Sequence, residues 1–149
     1  MKKRAIAAAS FGGHWVQLLR MRPLFDKYDT TYVSTRAELQ AMVEGQKFRV
    51  VNDAAAESKL KLLITFARAL WIVLRVRPHV IVSTGAAPGF ALLFWGHILG
   101  AKTVWVDSIA NAEEMSRSGR LAKRFATLWL SQWEDVASRA GAQYMGRVI

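Results

Sequence analysis

The sequence predicts an α/β protein built on a Rossmann-like, doubly wound parallel sheet. Short apolar segments typical of buried strands alternate along the 149 residues with longer segments of helical periodicity. The connections are short, and several contain glycine. Such alternation favours parallel strands in one sheet with helices on both faces. Because no linker, repeat or low-complexity tract interrupts the pattern, we expect a single domain over residues 1–149.

The individual elements are predicted from local composition and from glycine and proline positions. The expected strands are residues 5–9, 30–35, 48–51, 79–83, 102–107 and 128–133, with 143–149 as a last strand or a lead into a partner. The expected helices are a first one ending near residue 25, then 36–44, 59–76, 90–99, one after Gly119, and 134–140, with a polar loop at 52–58. After Gly119, the spacing of Leu121, Phe125 and Leu128 predicts that they face the core.

Charge and composition narrow the possible functions. The net charge of +10, from 21 basic and 11 acidic residues, indicates an anionic partner such as nucleic acid, a membrane surface or a phosphorylated ligand. The absence of cysteine excludes a thiolate zinc site and a cysteine nucleophile. The three histidines lack ligand-like spacing, so we expect neither a metal nor a cofactor. The basic residues 2–4 precede an apolar run too short for a signal peptide, which predicts a cytoplasmic protein.

The first strand ends in a glycine turn that resembles an anion-binding loop. Ser10 is followed by Gly12, Gly13 and His14, and then by a helical pattern. Free amide groups at the start of the helix and the absence of Cβ atoms would let a phosphate approach. His14 would then take or donate a proton beside that anion. The alternative is an ordinary strand–helix turn with a surface histidine.

Two further loops are expected at the same edge of the sheet, because the carboxyl ends of parallel strands meet there. One is the glycine turn at residues 84–89, and the other is the polar loop that begins with Asp107. Asp107 would orient His14, position an acceptor hydroxyl or only cap a helix. Ser116 and Ser118 would donate to phosphate or cap the next helix. The alternatives for Asp107 and for the two serines stay open at the level of sequence.

Two unusually apolar helices raise the question of a membrane. Residues 59–76 carry a polar stripe of Lys61, Thr65, Arg68 and Arg75 and are otherwise largely apolar, so the helix is either enclosed by protein or meets lipid. Residues 90–99 are either a buried helix of the sheet or a shallow membrane insertion, being too short to span a bilayer. The residues expected to contact a membrane are Lys61, Arg68, Trp71, Arg75, Phe90, Phe94 and Trp95.

Three motifs in combination carry a family resemblance that covers nearly the whole chain. They are GGH after the first strand, VSTGAAPG after the fourth and VDSIANAEEMSRSG after the fifth, with SQW and YMG near the end. The set resembles PssD/EpsE-type acceptor-binding subunits of split glycosyltransferases. These are related to the membrane subunit of the dolichol-diphosphate-linked N-acetylglucosamine transferase and to the N-terminal half of the lipid II-forming transferase.

The resemblance implies the N-terminal, acceptor-binding half of a GT-B fold. It implies a subunit that binds a polyprenyl-diphosphate-linked saccharide, while a partner subunit holds the nucleotide sugar. His14 and Asp107 match its catalytic positions. The residues it implies for binding the acceptor diphosphate are Ser10, Gly12, Gly13, Thr84, Gly85, Gly89, Ser116, Ser118 and Gly119.

The eukaryotic relatives have an N-terminal transmembrane helix, and we expect none here. The two apolar helices and their basic residues would instead attach the protein peripherally to anionic lipid on the cytoplasmic face of the inner (plasma) membrane. An alternative function is a non-catalytic membrane scaffold that recruits the catalytic subunit. Nucleic-acid binding is disfavoured, because no RNP motif or helix-turn-helix is present and the basic residues border apolar surface.

Overall fold

Seven strands among the described residues form one sheet in which every neighbouring pair is parallel. The computed structural model describes residues 1–53 and 58–148. The strands are β1 (Arg4–Ala9), β2 (Asp29–Ser34), β3 (Lys47–Val50), β4 (Val80–Gly85), β5 (Lys102–Val106), β6 (Leu128–Ser131) and β7 (Gln143–Tyr144). Their order, β3–β2–β1–β4–β5–β6–β7, reverses its winding between β1 and β4. The predicted doubly wound sheet is confirmed.

Helices cover both faces of this sheet. They are α1 (Gly13–Arg20), α2 (Arg22–Phe25), α3 (Lys59–Val76), α4 (Ala87–Ile98), α5 (Arg117–Ala122) and α6 (Glu134–Ala140), with a 3₁₀ helix at Ala37–Val43. The alternating side chains of β1 separate two core clusters. Ile6 and Ala8 pack with α3 and α4, whereas Ala7 and Ala9 pack with α1 and α2. The alanines leave room for a helix layer on each side of the central strand.

Several predicted boundaries differ from the structure. The first predicted helix is divided at Met21, where α1 ends and α2 begins with proline in its first turn. The helix predicted at 36–44 is a 3₁₀ helix, and the last strand has only two residues. Residues 54–57 of the predicted polar loop and residue 149 lie outside the described residues.

The prediction that Leu121 faces the core is wrong. Leu121 is 61% exposed, and the neighbouring Ala122 occupies the buried position. Because α5 ends at Ala122, the helical spacing that connected Leu121 to Phe125 and Leu128 does not continue. Phe125 still packs against the third core cluster.

The α3 helix presents an apolar face to the outside. Thr65, which the sequence placed in a polar stripe, is buried, and its hydroxyl accepts a 2.7 Å hydrogen bond from Nδ2 of Asn52. The basic side chains instead border a wide apolar face. Five of its side chains are between 45% and 67% exposed: Leu60, Leu63, Ile64, Trp71 and Leu74. No helix within the described ranges is both long and apolar enough to cross a bilayer.

The α4 helix is the buried helix of the sheet. Leu92 and Leu93 are fully buried, and Trp95 donates its indole N–H to the carbonyl of Phe66 on α3 at 2.9 Å. Its half-buried aromatic rings, predicted to contact a membrane, pack within an aromatic cluster. This cluster consists of Phe66, Phe90, Phe94, Trp95 and Phe125. Packing inside the protein leaves less of these rings available to lipid than of the α3 face.

Candidate functional site

A cavity of about 460 Å³ opens at the carboxyl ends of the strands, beside the point where the winding reverses. Ligands of doubly wound sheets bind at this position. The cavity is lined by His14, residues 84–86, Ser108, Ala110, Asn111, residues 114–118 and Arg120. Of the residues predicted for the site, it therefore collects His14, Thr84, Gly85, Ser116 and Ser118.

The turn between β1 and α1 is open, as an anion-binding loop requires. Gly12 has φ +87°, and no side chain caps the first turn of α1. A Cβ placed on Gly12 or Gly13 would meet no atom within 4 Å. These glycines do not line the cavity themselves. They precede His14 directly, so the unpaired amide groups at the start of α1 lie next to its entrance.

His14 is held in one tautomer by the end of β4. Its Nδ1 lies 2.9 Å from the carbonyl oxygen of Thr84, and the Thr84 hydroxyl donates to the His14 carbonyl at 2.6 Å. A carbonyl can only accept, so Nδ1 carries the proton in the neutral ring. Nε2 is then left with a lone pair. The ring lines the cavity and can accept a proton there.

Gly85 makes the close approach of His14 possible. A Cβ on this residue would lie 2.7 Å from Nδ1 of His14, and its φ of +122° is unfavourable for other residues. Ser10 fixes the same corner, because its backbone N–H donates to the Gly85 carbonyl at 2.9 Å. Ser10 thus contributes through its backbone and does not line the cavity.

Asp107 lies beneath the cavity. It is 2% exposed, and its carboxylate accepts three hydrogen bonds. The donors are the Trp105 indole at 3.0 Å, the Ser116 amide at 2.9 Å and the Ser116 hydroxyl at 2.6 Å. Asp107 does not line the cavity. Asp107 is not a helix cap itself: the N-cap of α5 is Ser116, and Asp107 positions that serine through two hydrogen bonds.

The two serines of the loop differ in what their hydroxyls can do. Ser116 is the N-cap of α5, and its hydroxyl already donates to Asp107 and accepts from the Gly119 amide at 2.9 Å. Ser118 lines the cavity, and the structure gives its hydroxyl no partner among the described residues. Ser118 is therefore the serine whose hydroxyl is available to a ligand.

Gly89 and Gly119, both predicted to bind the diphosphate, are packing glycines. A Cβ on Gly89 would collide with the Ser83 hydroxyl, and a Cβ on Gly119 would lie 2.5 Å from the Asp107 carboxylate. Both are buried, and neither lines the cavity. Their space is already filled by protein, so the structure does not support a phosphate at either position.

Sequence analysis missed the charged groups at the mouth of the cavity. Arg117 and Arg120 follow Ser116 at positions where α5 carries them to the same opening, together with Asn111 and Glu114. Arg120 lies 3.5 Å from Glu114, whereas Arg117 forms no ion pair among the described residues. In the sequence, Arg117 and Arg120 are three residues apart, and this spacing places both side chains on one side of a short helix.

A buried amide network braces the loop that carries these residues. Gln17 on α1 donates to the Ser108 hydroxyl at 3.1 Å and accepts from the Ile109 amide at 3.1 Å. Gln132 donates to Gln17 at 2.6 Å and to the Asp107 carbonyl at 2.9 Å. Trp133 donates to the Ile109 carbonyl at 2.7 Å. Gln132 and Trp133 therefore position the loop at Ser108, which forms one wall of the cavity. In the sequence these two residues belong to the SQW motif.

Comparison with known proteins identifies the family. The family model "Oligosaccharide biosynthesis protein Alg14 like" matches residues 12–148. The chain belongs to this Alg14-like family. It is 33% identical over 116 residues to the UDP-N-acetylglucosamine transferase subunit ALG14 of Eremothecium gossypii, covering 69% of this chain and 52% of that protein. It is 26% identical over 125 residues to the Yarrowia lipolytica protein of the same name, covering 78% and 58%. The chain spans about half the length of these relatives.

The fold of this chain resembles part of several larger solved structures. MurG of Acinetobacter baumannii superimposes with a TM-score of 0.73 at 13% identity, over 91% of this chain and 42% of MurG. The UDP-N-acetylglucosamine 2-epimerase of Rickettsia bellii gives 0.72 at 8% identity, over 96% and 43%. The sheet matches the N-terminal half of GT-B enzymes such as MurG, as the resemblance implied.

Proposed function

We propose that this chain is the acceptor- and membrane-binding subunit of a two-component glycosyltransferase. A partner subunit would hold the nucleotide sugar, and this chain would hold a polyprenyl-diphosphate-linked saccharide at the surface of the membrane. The names of the fungal relatives support UDP-N-acetylglucosamine as the donor. The observation that carries the proposal is His14, a base of defined tautomer that lines an open cavity at the switch point of the sheet.

In the proposed reaction, His14 is the general base. A hydroxyl of the acceptor sugar attacks the anomeric carbon of the donor sugar, and the bond to the nucleoside diphosphate breaks. The attacking hydroxyl loses its proton as the new bond forms, and Nε2 of His14 accepts it. The Thr84 carbonyl stabilises the resulting imidazolium through the Nδ1 proton, at 2.9 Å. Thr84 therefore orients the base and supports its charged state.

The acceptor diphosphate would lie between the first turn of α1 and the first turn of α5. The open amide groups after Gly12 and the Ser118 hydroxyl supply neutral donors. Arg117 is exposed at the mouth of the cavity and supplies a positive charge. Its guanidinium can form bidentate hydrogen bonds with phosphate oxygens. Of these groups, the turn after Gly12 and Ser118 belong to the set expected from the sequence, and Arg117 is added by the structure.

Membrane attachment is assigned to the outer face of α3. The apolar side chains of this face are bordered by the exposed basic residues Lys61, Arg68 and Arg75. The three basic residues are spaced by seven, so they run along one flank of this face. An apolar face with cations beside it is typical of a helix that lies in the plane of the membrane interface. The tail of the acceptor could then remain in the bilayer while its diphosphate enters the cavity.

The partner subunit has a candidate docking surface on the other face of the sheet. An apolar groove of about 430 Å³ runs over β4, β5 and β6, lined by side chains such as Val104, Leu128 and Leu130 and by Met145 of the C-terminal segment. Met21, where α1 ends, and Leu24 of α2 also line the groove. We assign it to the donor-binding subunit, because that subunit must approach the same edge of the sheet as the acceptor.

Reconstituted transfer tests the proposal. The chain is co-expressed with a candidate donor subunit, and transfer of N-acetylglucosamine to a short-chain polyprenyl-diphosphate sugar is measured. Loss of the base in His14→Gln should lower kcat by about 10²–10⁴-fold. His97→Gln removes an exposed histidine outside the cavity and should leave the rate unchanged.

Two outcomes would overturn the catalytic assignment. Unchanged transfer by His14→Gln, with the donor subunit still co-purifying, would favour the scaffold alternative. Equal activity of the donor subunit with and without this chain would remove the two-component proposal altogether. Co-purification is measured in the same preparations, so a loss of assembly is distinguished from a loss of chemistry.

A further inference from the structure

A second cavity lies at the opposite edge of the sheet, where the strands begin. It has a volume of about 720 Å³ and is formed by the ends of α3 and α4 and the starts of β1, β4 and β5. Its lining combines the basic residues Lys3, Arg4, Arg77 and Lys102 with apolar side chains such as Leu74 and Leu99. The proposed transfer reaction makes no use of this cavity.

The cavity is strongly positive. Lys3, Arg4, Arg77 and Lys102 line it, and no acidic side chain does. The four ion pairs found among the described residues involve other cations. Asp29, the strand partner of Arg4, lies outside the cavity lining. Four cations around one concave surface attract an anion far more than the same charges dispersed over the surface.

Arg77 adopts a backbone conformation that its side chain disfavours. It is the one non-glycine residue with positive φ in the described ranges, at +52°, and it follows the last turn of α3. Glycine is the usual residue at this left-handed position, because it has no Cβ to clash. An arginine at position 77 is less favourable for the stability of the fold than glycine, but it places a guanidinium in the cavity. This points to a function of the side chain itself.

Two neighbouring groups are fixed in place around the cavity. The Nε of Arg4 donates to the carbonyl oxygens of Val76 and Arg77, at 3.0 and 2.8 Å. The amide of Arg4 donates to Nδ1 of His79 at 3.0 Å. Because Nδ1 accepts, the proton of the neutral His79 ring lies on Nε2, which is then a donor. The cavity therefore combines side chains held in place by hydrogen bonds with the two lysines Lys3 and Lys102.

The rim of the cavity is continuous with the apolar face of α3. Leu74 belongs to that face and also lines the cavity, and Leu99 at the end of α4 is 50% exposed beside it. A free phosphate would make no use of these leucines. A phosphate that carries an acyl chain would use both the cations and the leucines, since its glycerol and chains lie next to its charge.

We propose that this cavity binds the phosphate of an anionic phospholipid headgroup. The inference rests on the proposed attachment of α3 to the membrane and gives that attachment a chemical specificity. With the outer face of α3 on the bilayer, Leu74 reaches the acyl region while Arg77 and Lys102 lie at the depth of the phosphates.

The test is a residue-resolved NMR titration of the ¹⁵N-labelled full chain. The probes are monomeric dihexanoyl phosphatidylglycerol, monomeric dihexanoyl phosphatidylcholine and inorganic phosphate. We expect saturable shifts of the amides around Arg77, Gly100 and Lys102, with phosphatidylglycerol binding at least tenfold more tightly than inorganic phosphate. The Arg77→Gly/Lys102→Gln variant should lose at least tenfold in this affinity.

The variants are chosen so that the fold is preserved. Glycine is favoured at position 77, so Arg77→Gly should melt at the same or a higher temperature than the wild-type chain. Arg36→Gln/Arg124→Gln removes two exposed charges outside the cavity and should change the affinity by less than threefold.

Three results would overturn the inference. Equal binding of inorganic phosphate and phosphatidylglycerol would assign the cavity to free phosphate. Shifts spread over all surface cations, or an unchanged affinity in Arg77→Gly/Lys102→Gln, would show that no defined site exists. Transfer to a water-soluble acceptor depends on the His14 cavity and should be unaffected by this variant. Failure of the lipid site is thereby distinguished from failure of the proposed function.

Discussion

The helices α3 and α4 have similarly apolar sequences and opposite environments. Both were expected to be either enclosed by protein or in contact with lipid. In the structure, α4 buries Leu92 and Leu93 completely, whereas α3 leaves Leu63 at 67% exposure. The difference arises from the neighbours of each helix: α4 lies over β1, β4 and β5 between α3 and α5, and α3 lies at the outside of the same layer.

The contrast shows that overall hydrophobicity does not decide where an apolar helix lies. On α3, the positions that face the core are occupied by Thr65, Ala69, Ile72 and Val73, and the larger side chains point outward. If α3 only covered the sheet, polar residues would be expected on its solvent-facing side, rather than leucine and tryptophan. Exposed apolar patches of this kind mark interaction surfaces.

The largest expected effect is on folding stability. Leu92→Ala on α4 should lower the free energy of unfolding by about 2–5 kcal/mol, because it leaves a cavity in the core. Leu63→Ala on α3 should change it by no more than about 0.5 kcal/mol, because that side chain is exposed. Urea denaturation followed by circular dichroism measures both. Equal losses would mean that α3 is packed against other protein groups through this face.

The next effect concerns membrane binding. Leu63→Asp should weaken binding to anionic vesicles by about 2 kcal/mol, or roughly thirtyfold, since an apolar contact is replaced by a charge. Leu121→Asp on α5 is the matched control, because Leu121 is 61% exposed but lies outside this face. Sedimentation with vesicles measures the two affinities. If both variants bound equally well, α3 would have no special role.

A smaller effect separates Trp95 on α4 from Trp71 on α3. Trp95→Phe removes the indole donor to the Phe66 carbonyl between α4 and α3, and should cost about 1 kcal/mol of stability. Trp71→Phe, on the outer face of α3, should leave stability nearly unchanged. Thermal melts of the two variants, side by side, test this difference. A larger loss for Trp71→Phe would contradict the exposure of the α3 face.

The smallest effect is electrostatic. Arg75→Gln should weaken vesicle binding by about 1 kcal/mol, or roughly fivefold, at low salt. The difference from the wild-type chain should vanish near 1 M salt, where the Debye length is about 3 Å. Arg124→Gln, an exposed arginine away from α3, provides the control. A difference that persists at high salt would mean that Arg75 acts through packing.

Much of the fold could be predicted, because its signals are local and repeated. The run of small apolar residues in β1 and the glycine turns after β1 and β4 follow directly from the sequence. His14 and Gly85 were also predicted together. Their contact depends on the switch point between β1 and β4, which the alternation of strands and helices already indicates.

The roles of the other glycines and of Asp107 could not be predicted. Gly12 is open to solvent, whereas Gly119 is packed against Asp107, although the sequence places both in loops at the same edge of the sheet. A glycine with open space around it leaves room for a ligand, whereas a glycine in a packed region leaves room for a neighbouring side chain. Only the three-dimensional structure distinguishes the two. Likewise, the sequence shows an acid at the end of β5 but not whether its carboxylate faces the cavity or accepts hydrogen bonds from Ser116 beneath it.

The most direct test of the central claim is an NMR titration with a soluble isoprenoid diphosphate, farnesyl diphosphate, on the ¹⁵N-labelled chain. The account predicts saturable shifts centred on His14, Gly85 and Ser118, and their loss in Gly85→Ala, whose Cβ would collide with the His14 ring. Shifts confined to the cavity of Arg77 and Lys102, or unchanged binding by a folded Gly85→Ala variant, would contradict it.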